Sequence, residues 1–117
     1  MSMYVFITRK LSPSSDTTRP IAAEEWVACI SKQPGFRTPV GDEGKWIGKH
    51  ARIWDAHEYP VAFDHVDGEI WVKGPDAATI VQMNHIADSL GASVFSETGE
   101  LFSIDGKHAG FLPGYPD

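Results

Sequence analysis

The side chains with the greatest potential for chemistry in this chain are five histidines and several neighbouring carboxylates. His57 and His65 stand near Glu58 and Asp64, a set that resembles an incomplete metal site. No two histidines have the i, i+4 spacing of an HExxH zinc site, and no ligand pattern repeats along the chain. The spacing therefore predicts scattered histidines rather than a metal site, and no cofactor is expected.

The other candidates for catalysis are no better supported. Cys29, the only cysteine, falls inside a predicted helix, whereas a thiol nucleophile needs an exposed, electropositive setting. A carboxylate pair such as Asp42 and Glu43 can perform acid–base chemistry only in a desolvated site, and nothing in the sequence indicates one. A Gly-rich phosphate loop and a G-x-S-x-G motif are both missing from the sequence. We therefore predict no catalytic residues and a protein that is not an enzyme.

The composition is that of one small folded domain. The chain has 117 residues, of which 42% are apolar and 22% charged, and this length suits one hydrophobic core. Residues 1–10 place their charges after a short apolar stretch, the reverse of a secretory signal, and no apolar run is long enough to span a membrane. A single cysteine fits a reducing compartment. We expect a cytoplasmic protein with no membrane partner.

The net charge of the chain is −6. Nucleic-acid binding requires a basic surface, so the charge argues against that class of partner. An acidic surface is compatible with a basic protein partner, because complementary charges steer encounter.

The hydrophobic pattern predicts an α+β fold with the order β-α-β-β-β-α-β-β. Alternation and turn signals favour one mostly antiparallel sheet with two helices packed on one face. The first strand is apolar on both faces, which is typical of a central strand. Residues 108–117, with two prolines and two glycines, are expected to form an irregular tail. The predicted strands are 3–8, 51–55, 61–66, 69–73, 92–96 and 100–104, and the predicted helices are 22–32 and about 77–90, the second capped by Asp76 and ended by Gly91.

A candidate binding surface follows from the Asp67-Gly68 turn, the strongest turn signal in the chain. A two-residue turn fixes the register of its hairpin, so Phe63, His65, Ile70 and Val72 face the core and the alternate residues face away. If Ile53 also points inward, Arg52 and Trp54 join that second face, where tryptophan and arginine are typical interface residues. The alternative is that the 36–50 loop or the tail covers the tryptophans. The candidate partner-binding residues are Arg52, Trp54, Asp64, Glu69 and Trp71.

Two stretches of the chain have a familiar pattern. Thr8-Arg9-Lys10 followed by Ile21-Ala22-Ala23-Glu24-Glu25-Trp26 is similar to a "TRK … IS-x-EEW" motif. Val72-Lys73-Gly74-Pro75-Asp76, continued through Leu90-Gly91-Ala92 and Gly99-Glu100, is similar to "VKNPD … LGA … GE". Together they resemble small uncharacterised bacterial α+β proteins, some of which look like cognate immunity proteins of polymorphic toxins. The resemblance implies a fold but no catalytic residues, and it leaves residues 36–51 unmatched.

Three functional hypotheses follow. The first is an immunity or antitoxin-like protein that neutralises a toxin domain by direct occlusion through the second sheet face. The second is a regulatory or assembly subunit that self-associates through a sheet edge. The third is a small metal-dependent enzyme that uses His57, Glu58 and His65.

Overall fold

The computed structural model describes residues 4–9, 20–45, 47–55, 60–97, 100–102 and 108–111. Two α-helices, one short 3-10 helix and eight strands make up these ranges. The elements are β1 (Tyr4–Thr8), α1 (Ala23–Ile30), β2 (Phe36–Arg37), the 3-10 helix Gly41–Gly44, β3 (Arg52–Trp54), β4 (Val61–Val66), β5 (Glu69–Lys73), α2 (Ala77–Leu90), β6 (Ser93–Ser96), β7 (Glu100–Phe102) and β8 (His108–Phe111).

The eight strands form one sheet in the order β2-β3-β4-β5-β1-β6-β7-β8. All of the adjacent pairs are antiparallel, as the sequence predicted. β1 lies inside the sheet, between β5 and β6, so its apolar character on both faces is explained by its central position. The two-residue strand β2 and the strand β8 form the edges.

Both helices pack on one face of this sheet, and the hydrophobic core lies between them and the strands. Val5 and Ile7 of β1 meet Trp26 of α1 and Met83 of α2 there, all of them fully buried. Burial of such large side chains is the main source of stability in a domain of this size. The α+β class and the packing of both helices against one mostly antiparallel sheet were therefore predicted correctly. Across the described ranges, neither helix has the length and apolar character that crossing a bilayer would require.

The ends of α2 follow the sequence closely. Asp76 precedes the helix, and its Oδ1 accepts hydrogen bonds from the backbone N–H of Thr79 at 2.9 Å and from its hydroxyl at 2.8 Å. Gly91 ends the helix in the left-handed region, with φ of 64°. The carboxylate satisfies N–H groups that have no partner inside the helix, and glycine adopts the left-handed conformation without strain. Both predicted boundary residues are confirmed.

The start of α1 is organised differently, because Ala22 at the cap position has no side-chain acceptor. The carboxylate of Glu25 compensates by accepting the Ala22 N–H at 3.2 Å. Glu25 also receives two hydrogen bonds from the guanidinium of Arg9, at 3.1 and 2.8 Å. Arg9 reaches further, donating through Nε to the carbonyl of Leu90 at 2.9 Å. One guanidinium thus joins the end of β1 to the start of α1 and the end of α2.

The Asp67-Gly68 turn is packed against the segment that leads into α1. The N–H of Ile21 donates to the carbonyl of Gly68 at 2.9 Å, and Pro20 lies against the turn. Asp67 and Gly68 both have positive φ, 49° and 79°, as a type I′ turn requires. The predicted turn is confirmed, and it anchors a second segment of the chain as well as the hairpin.

Replacement of Gly68 by alanine should lower the free energy of unfolding by about 3 kcal/mol. A Cβ at this position would lie 2.6 Å from the Cβ of Pro20, and the φ of +79° is unfavourable for alanine. Gly41→Ala is the matched control, because Gly41 has a φ of +57° and no atom within 4 Å of an added Cβ. Backbone strain alone should cost that variant about 1 kcal/mol. Equal losses for the two variants, measured by urea denaturation, would contradict the packing of Pro20 on the turn.

Two strands were not predicted. The sequence gives no strand signal for Phe36–Arg37, which nevertheless pairs with Ile53 and Trp54 of β3. The prediction of an irregular tail over 108–117 is wrong for His108–Phe111, which pairs with β7 as β8. A short edge strand needs only one partner and tolerates glycine, so it leaves little trace in composition. Residues 98–99, between the last two predicted strands, and residues 112–117 of the predicted tail lie outside the described ranges.

Candidate functional site

The face of the sheet opposite the helices, called the outer face below, carries its side chains in rows across the strands. Cross-strand partners in an antiparallel sheet point to the same side, so the register fixes these rows. The central row crosses four strands and consists of Asp64, Trp71, Phe6 and Phe95. Beside it, Lys73 is paired with Tyr4 on one side, and Val66 is paired with Glu69 on the other.

The aromatic side chains of these rows contact one another. The Trp71 ring centroid lies 5.7 Å from that of Tyr4 and 5.3 Å from that of Phe6, with tilted planes. Phe6 in turn meets Phe95 edge to face at 6.2 Å. These separations are in the favourable range for aromatic pairs. The outer face therefore carries a continuous, rigid aromatic band, of which Tyr4 is the most exposed member at 37%.

A groove of about 430 Å³ lies at the exposed end of this band. Its walls combine an aromatic pair, three aliphatic side chains and one charge of each sign. This outer groove is lined by Tyr4, Ile47, Ala62, Asp64, Val66, Trp71 and Lys73.

Glu69 lies beneath the groove and supports it. The residue is only 7% exposed. Its Oε2 accepts a hydrogen bond from the Thr8 hydroxyl at 2.7 Å, and its Oε1 accepts one from the Trp71 indole N–H at 3.2 Å. A buried carboxylate held in this way fixes the indole orientation. Glu69 is therefore on the predicted face, but it positions Trp71 and is too buried to serve as a broad contact surface.

The loop between β2 and β3 forms one wall of the groove. The Gly48 N–H donates to Oδ1 of Asp64 at 3.1 Å, and Ile47 lines the groove beside it. A side chain at Gly48 would approach Asp64 Oδ1 at 3.1 Å, so the close contact suits glycine. The alternative in which the 36–50 loop covers the tryptophans is therefore partly right. The loop reaches the outer face, yet Trp71 stays partly exposed in the groove.

The placement of Arg52 and Trp54 on this face was wrong. Ile53 pairs with Ala62 and points to the outer face, where it is 3% exposed. Trp54 pairs with Val61, is 8% exposed and belongs to the core beneath the helices. Arg52, opposite Phe63, points to the same side as Trp54. The assumption that Ile53 points inward was wrong. Both sides of β3 are covered, so an apolar residue such as Ile53 is buried even on the side away from the helices.

Two of the histidines that the structure describes, His50 and His65, contact each other. Nε2 of His65 lies 2.6 Å from the carbonyl oxygen of Ile21, to which it donates, and the ring meets that of His50 edge to face at 6.2 Å. His57 and Glu58 lie outside the described residues. Among the residues that the structure describes, no three histidine, cysteine or acidic side chains group as metal ligands.

Cys29 lies in a second groove, of about 390 Å³, between α1 and the end of α2. Burial raises the pKa of the Cys29 thiol, and the positive charge of Lys32 opposes that shift to a smaller extent. A raised pKa reduces the thiolate fraction at neutral pH. The environment of Cys29 is that of a packed structural thiol.

No protein-family model, no curated protein and no solved structure matches this chain. The outer groove is thus the feature of the described chain with the clearest potential for binding.

Proposed function

We propose that this chain is a protein-binding domain of the immunity type, which neutralises a bacterial toxin by covering it with the outer face of its sheet. The observation that carries the proposal is the outer groove, where exposed Tyr4 and partly exposed Trp71 share one sheet face with the charged side chains of Asp64 and Lys73. The proposal also draws on the resemblance of the helix-boundary motifs to small bacterial proteins of this kind.

The composition of the groove is that of an interface centre. Tyrosine and tryptophan are among the side chains that contribute most to binding, and they are most effective when surrounded by contacts that exclude water. Trp71 is already held by Glu69 and by two aromatic neighbours, so little conformational entropy is lost when a partner covers it. The net charge of −6 favours encounter with a basic toxin domain. These features suit binding of a protein surface rather than conversion of a substrate.

The double variant Tyr4→Ala, Asp64→Lys should lose the partner, because it removes an exposed aromatic contact and places a positive charge in the groove that faces a basic surface. We expect wild-type protein, used as bait in lysate of the source organism, to capture one stoichiometric partner, and the double variant to bind the purified partner about thirtyfold more weakly. Asp88→Lys is the matched control, since it makes the same charge change on the exposed residue Asp88 of α2 and should bind like wild type. Affinity is measured by calorimetry, with circular dichroism of each variant to confirm folding.

The toxin part of the proposal has a separate test. Co-expression of wild-type protein should restore growth of cells that express the captured partner, whereas the Tyr4→Ala, Asp64→Lys variant should not. Equal protection by both proteins would remove the outer groove from the mechanism. A partner that does not impair growth would leave a binding domain with no immunity role.

Self-association is the competing function, and the sheet edges favour it. β8 pairs with β7 on one side only in the described part of the chain, and an edge strand is a template for pairing with a second copy. Light scattering distinguishes the two functions. A dimer whose mass is independent of concentration, with no partner present, would favour the assembly subunit.

A further inference from the structure

Asp64 and Trp71 are direct cross-strand partners at the floor of the outer groove. Their side chains point to the same face, and side chains so paired lie within contact distance. The pairing places a carboxylate and an indole side by side on the outer face. Glu69 accepts the indole N–H, and the rings of Tyr4 and Phe6 pack against the indole with tilted planes.

The Asp64 carboxylate retains capacity for a ligand. Its Oδ1 accepts the Gly48 N–H, and no further hydrogen bond or ion pair of Asp64 is found within the residues that the structure describes. An ionised carboxylate has about four acceptor sites, so one backbone donor leaves most of them for a partner. Gly48 holds the carboxylate in place at the same time, which reduces the entropy lost on binding.

We propose that the outer groove recognises an arginine side chain of the protein partner, with the guanidinium against Asp64 and its plane over Trp71. This proposal rests on the proposed function and specifies the chemistry by which the same groove selects its partner. Arginine combines a planar cation that stacks on an indole with a donor fork that fits a carboxylate. The methylene stem of the partner's arginine would pass Ile47 and Val66, the aliphatic walls of the groove.

Lys73 sets the direction of the bound side chain. Lys73 is paired with Tyr4 and lies one row away from the pair formed by Trp71 and Asp64. Its positive charge repels any other cation at that end of the groove. The arginine therefore has one favourable position, at the Asp64 end. Lysine fits the site less well. Its ammonium group is not planar, so it cannot stack on the indole ring, and it lacks the two parallel donors that bond a carboxylate.

The test uses the full-length protein and a defined probe, the blocked tripeptide Gly-Arg-Gly, titrated while the indole N–H of Trp71 and the backbone N–H of Gly48 are followed by NMR. We expect both resonances to shift in a saturable way. The tripeptide with citrulline in place of arginine, which has the same shape and no charge, should produce no saturable shift. Asp64→Asn should weaken binding of the arginine peptide about fivefold, while its side-chain oxygen can still accept the Gly48 N–H.

Asp88→Asn is the control for net charge, because it makes the same change on the exposed residue Asp88 of α2 and should leave the affinity unchanged. Equal shifts with the citrulline peptide, or the same affinity for the wild type and Asp64→Asn, would overturn the arginine proposal. The titration needs no partner, so its failure is distinct from that of the proposed function. Capture of the same partner by the Tyr4→Ala, Asp64→Lys variant would overturn the proposed function whatever the peptide does.

Discussion

Replacement of Trp54 by alanine should lower the free energy of unfolding by about 4 kcal/mol, the largest loss expected of any change described for this chain. Trp54 is 8% exposed and packs against Phe36 and Phe63, with ring centroids 6.4 Å away in each case. Alanine would leave a cavity between β2, β3 and β4 that these aromatic rings cannot fill. Urea denaturation measures the effect through the shift in midpoint at constant slope.

The matched variant is Trp71→Ala, which removes the same side chain from the outer face. Trp71 is only partly buried and lines the groove, so its loss should cost about 2 kcal/mol. Small domains have a total stability of about 5–15 kcal/mol, so at the lower end of that range Trp54→Ala leaves no measurable unfolding transition. Trp54→Phe then serves as a milder variant and should still be more destabilising than Tyr4→Ala. A larger loss for Trp71 than for Trp54 would contradict the assignment of the two faces.

Replacement of Arg9 by methionine should cost about 2–3 kcal/mol, a large effect for a residue at the end of a strand. The Arg9 side chain is 9% exposed, and its loss leaves the carbonyls of Leu90 and Pro20 without their donor. Glu25 is 45% exposed, so water screens the ion pair and most of the loss comes from the carbonyl groups and the packed stem.

The conservative variant Arg9→Lys separates charge from geometry. Lysine keeps the charge but cannot bond Glu25 through two parallel donors while also reaching Leu90, so we expect it to recover less than half of the loss. The hydrogen bonds to Glu25 raise the pKa of Arg9 above its usual value. A raised pKa contributes stability that is lost only as pH rises through the folded-state value, so the Arg9 contribution is constant over the neutral range. Full recovery by lysine would show that charge alone matters.

The sequence predicted the elements whose signals are local. Asp67-Gly68 fixed the β4–β5 register, and the predicted pairs Asp64 with Trp71 and His65 with Ile70 are present in the structure. Asp76 and Gly91 located the ends of α2 for the same reason, since a cap and a left-handed stop depend on neighbouring residues only. The turn signal alone thus predicted correctly that Asp64, Glu69 and Trp71 share one face of the sheet.

The remainder of the site depends on contacts between distant segments. The connection from β3 to β4 has no two-residue turn, so nothing local sets the direction of Arg52 and Trp54. Tyr4 joins the groove, and Phe6 joins the aromatic band next to it, only because β1 pairs with β5 in one register, which no pattern within β1 specifies. Their alternation with Val5 and Ile7 was the one available signal, since it predicted a second apolar face on β1.

Two residues of the first motif, Arg9 and Glu25, contact each other in the structure. Arg9 and Glu25 belong to the two halves of the first motif, and they meet as a bidentate pair with hydrogen bonds of 3.1 and 2.8 Å. Glu25 also replaces the missing cap at Ala22. In this chain, Arg9 and Glu25 therefore join the end of β1 to the start of α1.

The position of β1 between β5 and β6 has a consequence for the order in which the domain is made. Thr8 bonds Glu69, 61 residues later, and Tyr4 bonds Glu97, 93 residues later. Because a ribosome produces the chain from its N-terminus, β1 is synthesised long before either neighbouring strand exists. Pairings of such high sequence separation also slow folding, since a long loop must close before they form. The growing chain therefore carries an apolar strand without its neighbours in the sheet, and β1 can be paired along both of its edges only after β6 has been made.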